Sequence, residues 1–70
     1  MIKIEISEEP IDLYKVLKLE NLVASGGEAK FVIAEGLVSV NGEIETRKRK
    51  KIVSGDIIVF GNQTILIRLK

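Results

Sequence analysis

Apolar side chains occupy every second position at the start of the chain: Ile2, Ile4 and Ile6. This period of two, made by β-branched residues, predicts a half-buried β-strand. The spacing then changes to three and four, which puts one apolar stripe along a helix, at Leu13, Val16 and Leu17. The segment 7–10 before this stripe carries two acids and a proline, which are typical of a first helical turn. The pattern therefore predicts a strand, followed by a helix that begins near Pro10 and ends near Glu20 or Asn21.

A second helical stripe follows after only a few residues, at Ala29, Val32 and Ile33. Ser25 and Glu28 fit a capping box, in which the Ser25 hydroxyl accepts the Glu28 N–H and the Glu28 carboxylate accepts the Ser25 N–H. Gly26 and Gly27 between them are poor helix formers, each worth about 1 kcal/mol less than alanine in a helix interior. Glycine does, however, let another backbone come close. We expect a second helix that ends at Gly36 and lies beside the first, because the connection is short.

Phe31 lies next to the apolar stripe of the second helix and not on it. Two interpretations are open, an aromatic flank of the core or an exposed surface for stacking. We favour the core flank.

After Gly36 the apolar period returns to two, with a turn at Asn41-Gly42. A two-residue turn would place Val40 opposite Glu43. A three-residue loop with Gly42 in the left-handed conformation would instead place Val38 opposite Ile44. We favour the three-residue loop because it pairs an apolar residue with an apolar residue.

The last third of the chain predicts a further hairpin. Segments 57–60 and 64–69 flank a Gly61-Asn62 turn, after another turn at 54–56. Pairing across it puts five apolar residues on one face, expected to cover the helices: Ile58, Phe60, Ile65, Ile67 and Leu69. The predicted fold is α+β, an N-terminal strand and two adjacent helices followed by a small, mostly antiparallel sheet, in a single domain spanning residues 1–70.

The composition excludes much of enzyme chemistry. The chain has neither histidine nor cysteine, so the commonest metal ligand and general base are absent, as is any thiolate site. Ser25 has no histidine to activate it, and its spacing to Lys30 is weak evidence for a Ser–Lys pair. No apolar run approaches the roughly 20 residues of a membrane span, and no secretory signal begins the chain. We expect a cytoplasmic, non-enzymatic domain without metal, cofactor, small-molecule substrate or membrane partner.

Charge is distributed unevenly along the chain. The net charge is +1, yet residues 1–36 carry −3 and residues 37–70 carry +4. Five adjacent cations account for this excess: Arg47, Lys48, Arg49, Lys50 and Lys51. Such neighbours repel one another by about 1 kcal/mol or less per pair in water, so the fold gains nothing from them. A merely solvated loop is one interpretation. A polyanionic partner is the favoured one, because arginine and lysine both bind phosphate.

An ordered set of short motifs runs through the same region: SGGEAK at 25–30, AEG at 34–36, VNG at 40–42 and ETR at 45–47. With the basic stretch and SGD after them, they resemble the αL motif, the RNA-binding domain named after ribosomal protein S4. They resemble more closely the small stand-alone bacterial proteins of the YbcJ/YaaA type. The similarity covers roughly residues 9–60.

The resemblance implies that the chain binds structured RNA, ribosomal or tRNA-like, with the start of the second helix and the basic loop. The implied RNA-binding residues are Gly26, Gly27, Lys30, Arg47, Lys48, Arg49, Lys50 and Lys51. The family usually has arginine where this chain has Gly26, so one phosphate contact is missing there.

Two functions of other classes remain open. One is a protein-binding adaptor that presents the basic loop to an acidic partner. The other is a β-grasp sulfur carrier, which the sequence disfavours because the chain ends Arg68-Leu69-Lys70 and not Gly-Gly.

Overall fold

A computed structural model describes all residues from Met1 to Lys70. Its elements, in chain order, are β1 (Ile2–Ile6), β2 (Ile11–Asp12), α1 (Leu13–Leu19), α2 (Gly26–Ala34), β3 (Val38–Val40), β4 (Glu43–Ile44), β5 (Lys51–Ile52), β6 (Ile57–Phe60) and β7 (Gln63–Leu69). Five strands form a sheet in the order β1-β7-β6-β3-β4, in which only β1 and β7 are parallel. Strands β2 and β5 form a separate two-stranded sheet. The α+β prediction is confirmed.

The core lies between the two helices and one face of the sheet. Both helical stripes are buried as the periodicity predicts, with Leu13, Val16, Leu17, Ala29 and Ile33 fully so. The sheet contributes Ile4, Ile6, Val38, Val40, Ile58, Ile65 and Ile67 to the same cluster. Each such aliphatic side chain stabilises the fold by about 1.5–3 kcal/mol when it leaves water.

The C-terminal hairpin has the predicted turn. Phe60 pairs with Gln63 across Gly61-Asn62, and Ile58 pairs with Ile65. Gly61 has a positive φ of 60°, which glycine adopts without a steric penalty. Leu69, at the end of β7, is the one residue of the predicted face that remains largely exposed.

The start of α1 differs from the prediction. The helix begins at Leu13, and the residues before it are extended because Ile11 pairs with Ile52 in the second sheet. Ile52 is fully buried, and Ile11 packs against the same core. This long-range contact overrides the local signal of acids and proline near Pro10, since tertiary packing outweighs weak helix-start preferences.

The Asn41-Gly42 hairpin also differs: the prediction of a three-residue loop is wrong. Val40 pairs with Glu43, so the turn has two residues. Both have positive φ, 52° at Asn41 and 88° at Gly42, as a type I′ turn requires. The Asn41 side chain holds the turn against β6, because its amide oxygen accepts the Ile57 N–H at 2.9 Å. Ile44 consequently lies opposite Ser39 and remains exposed.

The predicted cap of α2 is half right. The Ser25 hydroxyl accepts the Glu28 N–H at 3.1 Å, as expected. The Glu28 carboxylate instead accepts the N–H of Ala24, at 2.7 Å, and not that of Ser25. The carboxylate therefore holds the chain one residue before the cap, which fixes the direction from which it enters the helix.

Phe31 does not flank the core, so that interpretation is wrong. Its side chain is 61% exposed. Successive helical residues are rotated by about 100°, which puts Phe31 on the side of α2 opposite Ala29, Val32 and Ile33. Those three are the residues through which α2 packs against the rest of the core.

Candidate nucleic-acid interface

The basic run forms a tight turn between β4 and β5. The Lys50 N–H donates to the Arg47 carbonyl oxygen at 3.1 Å, which closes a four-residue turn with Lys48 and Arg49 at its tip. Both tip residues are exposed. We call residues Arg47–Lys51 the basic loop.

The first turn of α1 holds the basic loop in place. The Leu13 N–H donates to the Lys50 carbonyl oxygen at 3.0 Å, and the Tyr14 N–H donates to the Lys48 carbonyl oxygen at 3.1 Å. These are N–H groups that a helix start leaves without intrahelical partners. The tip of the loop is therefore attached by its backbone, and these two hydrogen bonds do not depend on the side chains of Lys48 and Lys50.

An ion pair and a buried residue fix the far end of the loop. Lys51 Nζ lies 2.6 Å from Asp12 Oδ1, and this hydrogen bond is the main cause that lowers the pKa of Asp12 below its ordinary value. Ile52 follows directly and is fully buried. Lys51 is therefore largely neutralised by its partner.

A second carboxylate, that of Glu45, binds the first residue of the basic loop, Arg47. Glu45 accepts from Arg47 three times: from Nε at 2.9 Å, from Nη2 at 3.1 Å and from the backbone N–H at 3.0 Å. The side-chain hydrogen bond with Arg47 is the main cause that lowers the pKa of Glu45 to about 2, and the backbone hydrogen bond adds to it. The same pairing raises the pKa of Arg47. Arg47 keeps unused guanidinium donors, although Glu45 cancels its charge.

Three cations of the basic loop have no ion pair. The side chains of Lys48, Arg49 and Lys50 make no salt bridge and no side-chain hydrogen bond. The two acids near the loop are each already engaged, by Arg47 and by Lys51. The uncompensated charge is thus concentrated on the turn that α1 holds.

Lys30 of α2 is connected to this turn through Tyr14. Its Nζ lies 5.0 Å from the centre of the Tyr14 ring, a cation–π contact. The backbone N–H of the same tyrosine donates to Lys48. Tyr14 thereby links Lys30 to the basic loop, which the spacing in the sequence could not show.

The start of α2 leaves two backbone donors open. The N–H groups of Gly26 and Gly27 make no turn, loop or cap hydrogen bond. Neither glycine has a positive φ, and an added Cβ would meet nothing within 4 Å at Gly26 and only the Ser25 hydroxyl oxygen, at 3.8 Å, at Gly27. The fold itself therefore does not require glycine at these positions.

We expect the ion pair between Glu45 and Arg47 to make stability depend on acid pH. The pKa of Glu45 is lowered from 4.5 to about 2, so the unfolded chain binds this proton more readily than the folded one. The contribution is complete above about pH 4.5 and is lost as the pH falls through about 2. Thermal unfolding of the parent and of Glu45→Gln, between about pH 7 and pH 2.5, measures it. Glu43→Gln, an exposed neighbour without an ion pair, is the control. An equal loss of stability in the parent and in Glu45→Gln would refute the assignment.

Sequence reasoning missed three residues that position this surface: Asp12, Tyr14 and Glu45. The two-residue spacing of Glu45 and Arg47 was a readable signal for their pairing. Asp12 and Lys51 are 39 positions apart, and nothing local connects them. Neither helix is long and apolar enough to cross a membrane, and no group of three or more acidic side chains is arranged to hold a metal ion.

Fold and site together define a small α+β domain that presents a cationic turn on the first turn of a helix. The chain belongs to the S4 domain family, whose model matches residues 4–68. This match confirms the resemblance to the S4 family, and it argues against the alternative of a β-grasp sulfur carrier.

The chain is similar to several bacterial proteins, among them one from Escherichia coli and one from Bacillus subtilis. The chain is 46% identical over 57 residues to the "Putative RNA-binding protein YbcJ" of Escherichia coli strain K12, a match that covers 81% of each chain. It is 40% identical over 55 residues to the "Probable ribosome maturation protein RlbA" of Bacillus subtilis strain 168, covering 79% of this chain and 78% of the relative.

Two solved structures share the fold. The solution structure of YbcJ from E. coli, described as revealing an αL motif involved in RNA-binding, has a TM-score of 0.75 and 40% identity, and covers 97% of this chain and 87% of that one. The 30S ribosomal protein S4e from Thermoplasma acidophilum has a TM-score of 0.61 and 23% identity, over 81% of this chain and 30% of that one, and shows the fold alone.

Proposed function

We propose that this protein binds structured RNA by holding its phosphates on one basic surface. This surface consists of Lys30 together with the basic loop, in which Lys48, Arg49 and Lys50 make the main contacts. Arg47 and Lys51 contribute less because each is paired with a carboxylate. The free N–H groups of Gly26 and Gly27 add donors for a phosphate, since a helix N-terminus favours an anion.

The observation that carries the proposal is that three cations without an ion pair lie on a turn that backbone hydrogen bonds attach to α1. Holding three like-charged side chains together costs free energy, and the two backbone hydrogen bonds to α1 keep them together anyway. A polyanion removes that repulsion on binding. Because the loop is ordered beforehand, binding also loses less conformational entropy.

The names of two relatives support a proposal about the kind of RNA. Relatives of similar length are named for RNA binding and for ribosome maturation. We therefore propose ribosomal or similarly folded RNA in the cytoplasm as the ligand. The role is binding without catalysis, because the Ser25 hydroxyl is engaged in the helix cap and the Lys30 ammonium lies over the Tyr14 ring.

A salt titration of the affinity for a hairpin RNA tests the proposal. With three to five phosphate contacts, we expect the logarithm of the affinity to fall with the logarithm of the salt concentration with a slope of about −2 to −5. Fluorescence anisotropy between about 0.05 and 0.5 M KCl measures this slope. Absence of binding at the lowest salt would exclude RNA and leave the acidic protein partner as the ligand of the basic loop.

A further inference from the structure

Phe31 is an exposed aromatic ring without a structural partner. It is 61% exposed, and it is absent from both the buried core and the half-buried side chains packed against that core. Removing an exposed phenyl ring from water would be favourable, so its position costs solvation free energy that the fold does not recover. No other aromatic residue of the chain is this exposed, since Tyr14 and Phe60 both pack against the core.

The helix surface around this ring carries no large apolar side chain. A long helical side chain leans toward the residues three and four positions before it, which for Phe31 are Glu28 and Gly27. Gly27 has no side chain, and the nearest atom to a Cβ built there is the Ser25 hydroxyl oxygen, 3.8 Å away. The two residues that follow by three and four positions are Ala34 and Glu35, so no large apolar neighbour covers the ring along the helix. A flat ligand can therefore lie against it.

Charges on α2 are divided between the two sides of the ring. At about 100° per residue, Lys30 lies about 100° to one side of Phe31, and Glu28 and Glu35 lie about 40–60° to the other side. The contact between Lys30 and Tyr14 shows that the cationic side is the one facing α1 and the basic loop. An RNA backbone that follows the basic surface thus reaches Phe31 from the Lys30 side. The carboxylates of Glu28 and Glu35 repel its phosphates on the other side.

We propose that Phe31 stacks against an unpaired nucleobase of the RNA whose phosphates lie on the basic surface. This inference rests on the proposed function and makes it more specific: the ligand has an unpaired nucleotide next to a duplex, and not a duplex alone. Exposed aromatic rings beside cationic grooves bind bases in this way, because every base has a π face.

A nucleobase fits this ring better than a protein partner does. The core of a protein interface is depleted of charged residues, whereas around Phe31 the helix offers glycine, alanine and charged side chains. The exposed side chains of Leu37 and Ile44 lie past the C-terminal end of α2, around Gly36, where Ile44 Cγ2 would be 3.6 Å from an added Cβ. A single exposed ring, on the helix that also carries Lys30, matches one base and its phosphate.

Two RNA probes separate stacking from phosphate binding. The first is a hairpin with a single-stranded 3′ tail of about six nucleotides, which we call the tailed hairpin. The second is the same molecule with an abasic tail, which keeps every phosphate and loses the bases. We expect Phe31→Ala to weaken binding of the tailed hairpin by about 5- to 150-fold, equivalent to about 1–3 kcal/mol, and to leave the abasic one unchanged. The salt slope should not change, since no phosphate contact is removed.

Conservative and control variants complete the experiment. Phe31→Tyr should bind the tailed hairpin like the parent. Leu19→Ala, at a similarly exposed apolar position on α1, should have no effect. The chain contains no tryptophan, so Phe31→Trp introduces a single fluorescent reporter, which the tailed hairpin should quench and the abasic one should not.

Two results would overturn the inference. If the parent binds the tailed hairpin and Phe31→Ala binds it equally well, stacking is excluded, RNA binding stands, and Phe31 becomes a candidate for protein contact. If the parent binds neither hairpin at any salt concentration, the proposed function fails together with the stacking.

Discussion

Replacing Lys48 and Arg49 together by alanine should weaken RNA binding by about 15- to 30-fold at 0.15 M salt. The estimate follows from two lost phosphate contacts, each worth about 0.7–0.9 in the salt slope, with equal affinity assumed at 1 M. The magnitude of the slope should itself fall by about 1.4–1.8 units. The effect should be nearly the same for different RNA sequences, because phosphate contacts do not read bases. Anisotropy titrations of the tailed hairpin measure both quantities.

The fold should not suffer from this double change. Both residues are exposed and make no side-chain bonds, and the loop is attached through backbone carbonyls that alanine retains. Circular dichroism and the thermal midpoint check this. Lys3→Ala with Arg68→Ala is the matched control: it removes one lysine and one arginine from exposed positions on the sheet face that points away from the helices. A control that weakens binding as much as the loop variant would mean that only overall charge matters, and would contradict a local site.

Ile52→Ala should destabilise the protein by about 2–5 kcal/mol. Ile52 is fully buried and directly follows the basic loop, so the change leaves a cavity where β5 joins the core. A domain of this size has a total stability of about 3.5–10 kcal/mol, which means that a large part of the population could unfold. Because Ile52 anchors the end of the basic loop to the core, we also expect RNA affinity to fall. Urea denaturation measures the first effect, and binding below the unfolding transition measures the second.

Two variants show whether the cavity is the cause. Ile52→Val removes one methyl group and should cost only about 0.5–1.5 kcal/mol. Val53→Ala truncates the next residue, which is 40% exposed, and should change stability by about 0.5 kcal/mol or less. If Val53→Ala were as damaging as Ile52→Ala, the buried attachment of the loop would be the wrong explanation.

The geometry explains how a chain with little net charge can present a strong local charge. Of the five adjacent cations, the outer two are paired with Glu45 and Asp12, which fix both ends of the loop. The inner three make no ion pair, and they lie on a turn whose backbone satisfies the first N–H groups of α1. One short segment thus completes a helix start and exposes a cationic surface.

Local spacing determined the parts of the fold that depend on burial along one element. The two helical stripes, the strand at Ile2–Ile6 and the hairpin at Gly61-Asn62 could be read directly, because an apolar period decides which face leaves water. The helix cap by Ser25 could also be read from the sequence, because its partner Glu28 lies only three residues away. The five cations were visible as a run, and the ordered motifs around them indicated the family.

The tertiary structure alone decided the features that depend on contacts between residues far apart in the sequence. Ile11 pairs with Ile52 and delays the start of α1, and Asn41 accepts the Ile57 N–H, which fixes its hairpin against β6. Lys51 is neutralised by a carboxylate 39 positions away, and Lys30 joins the basic loop only through Tyr14. In each case the deciding energy belongs to a contact between segments far apart in the chain, and a local pattern carries no information about which segment will be there.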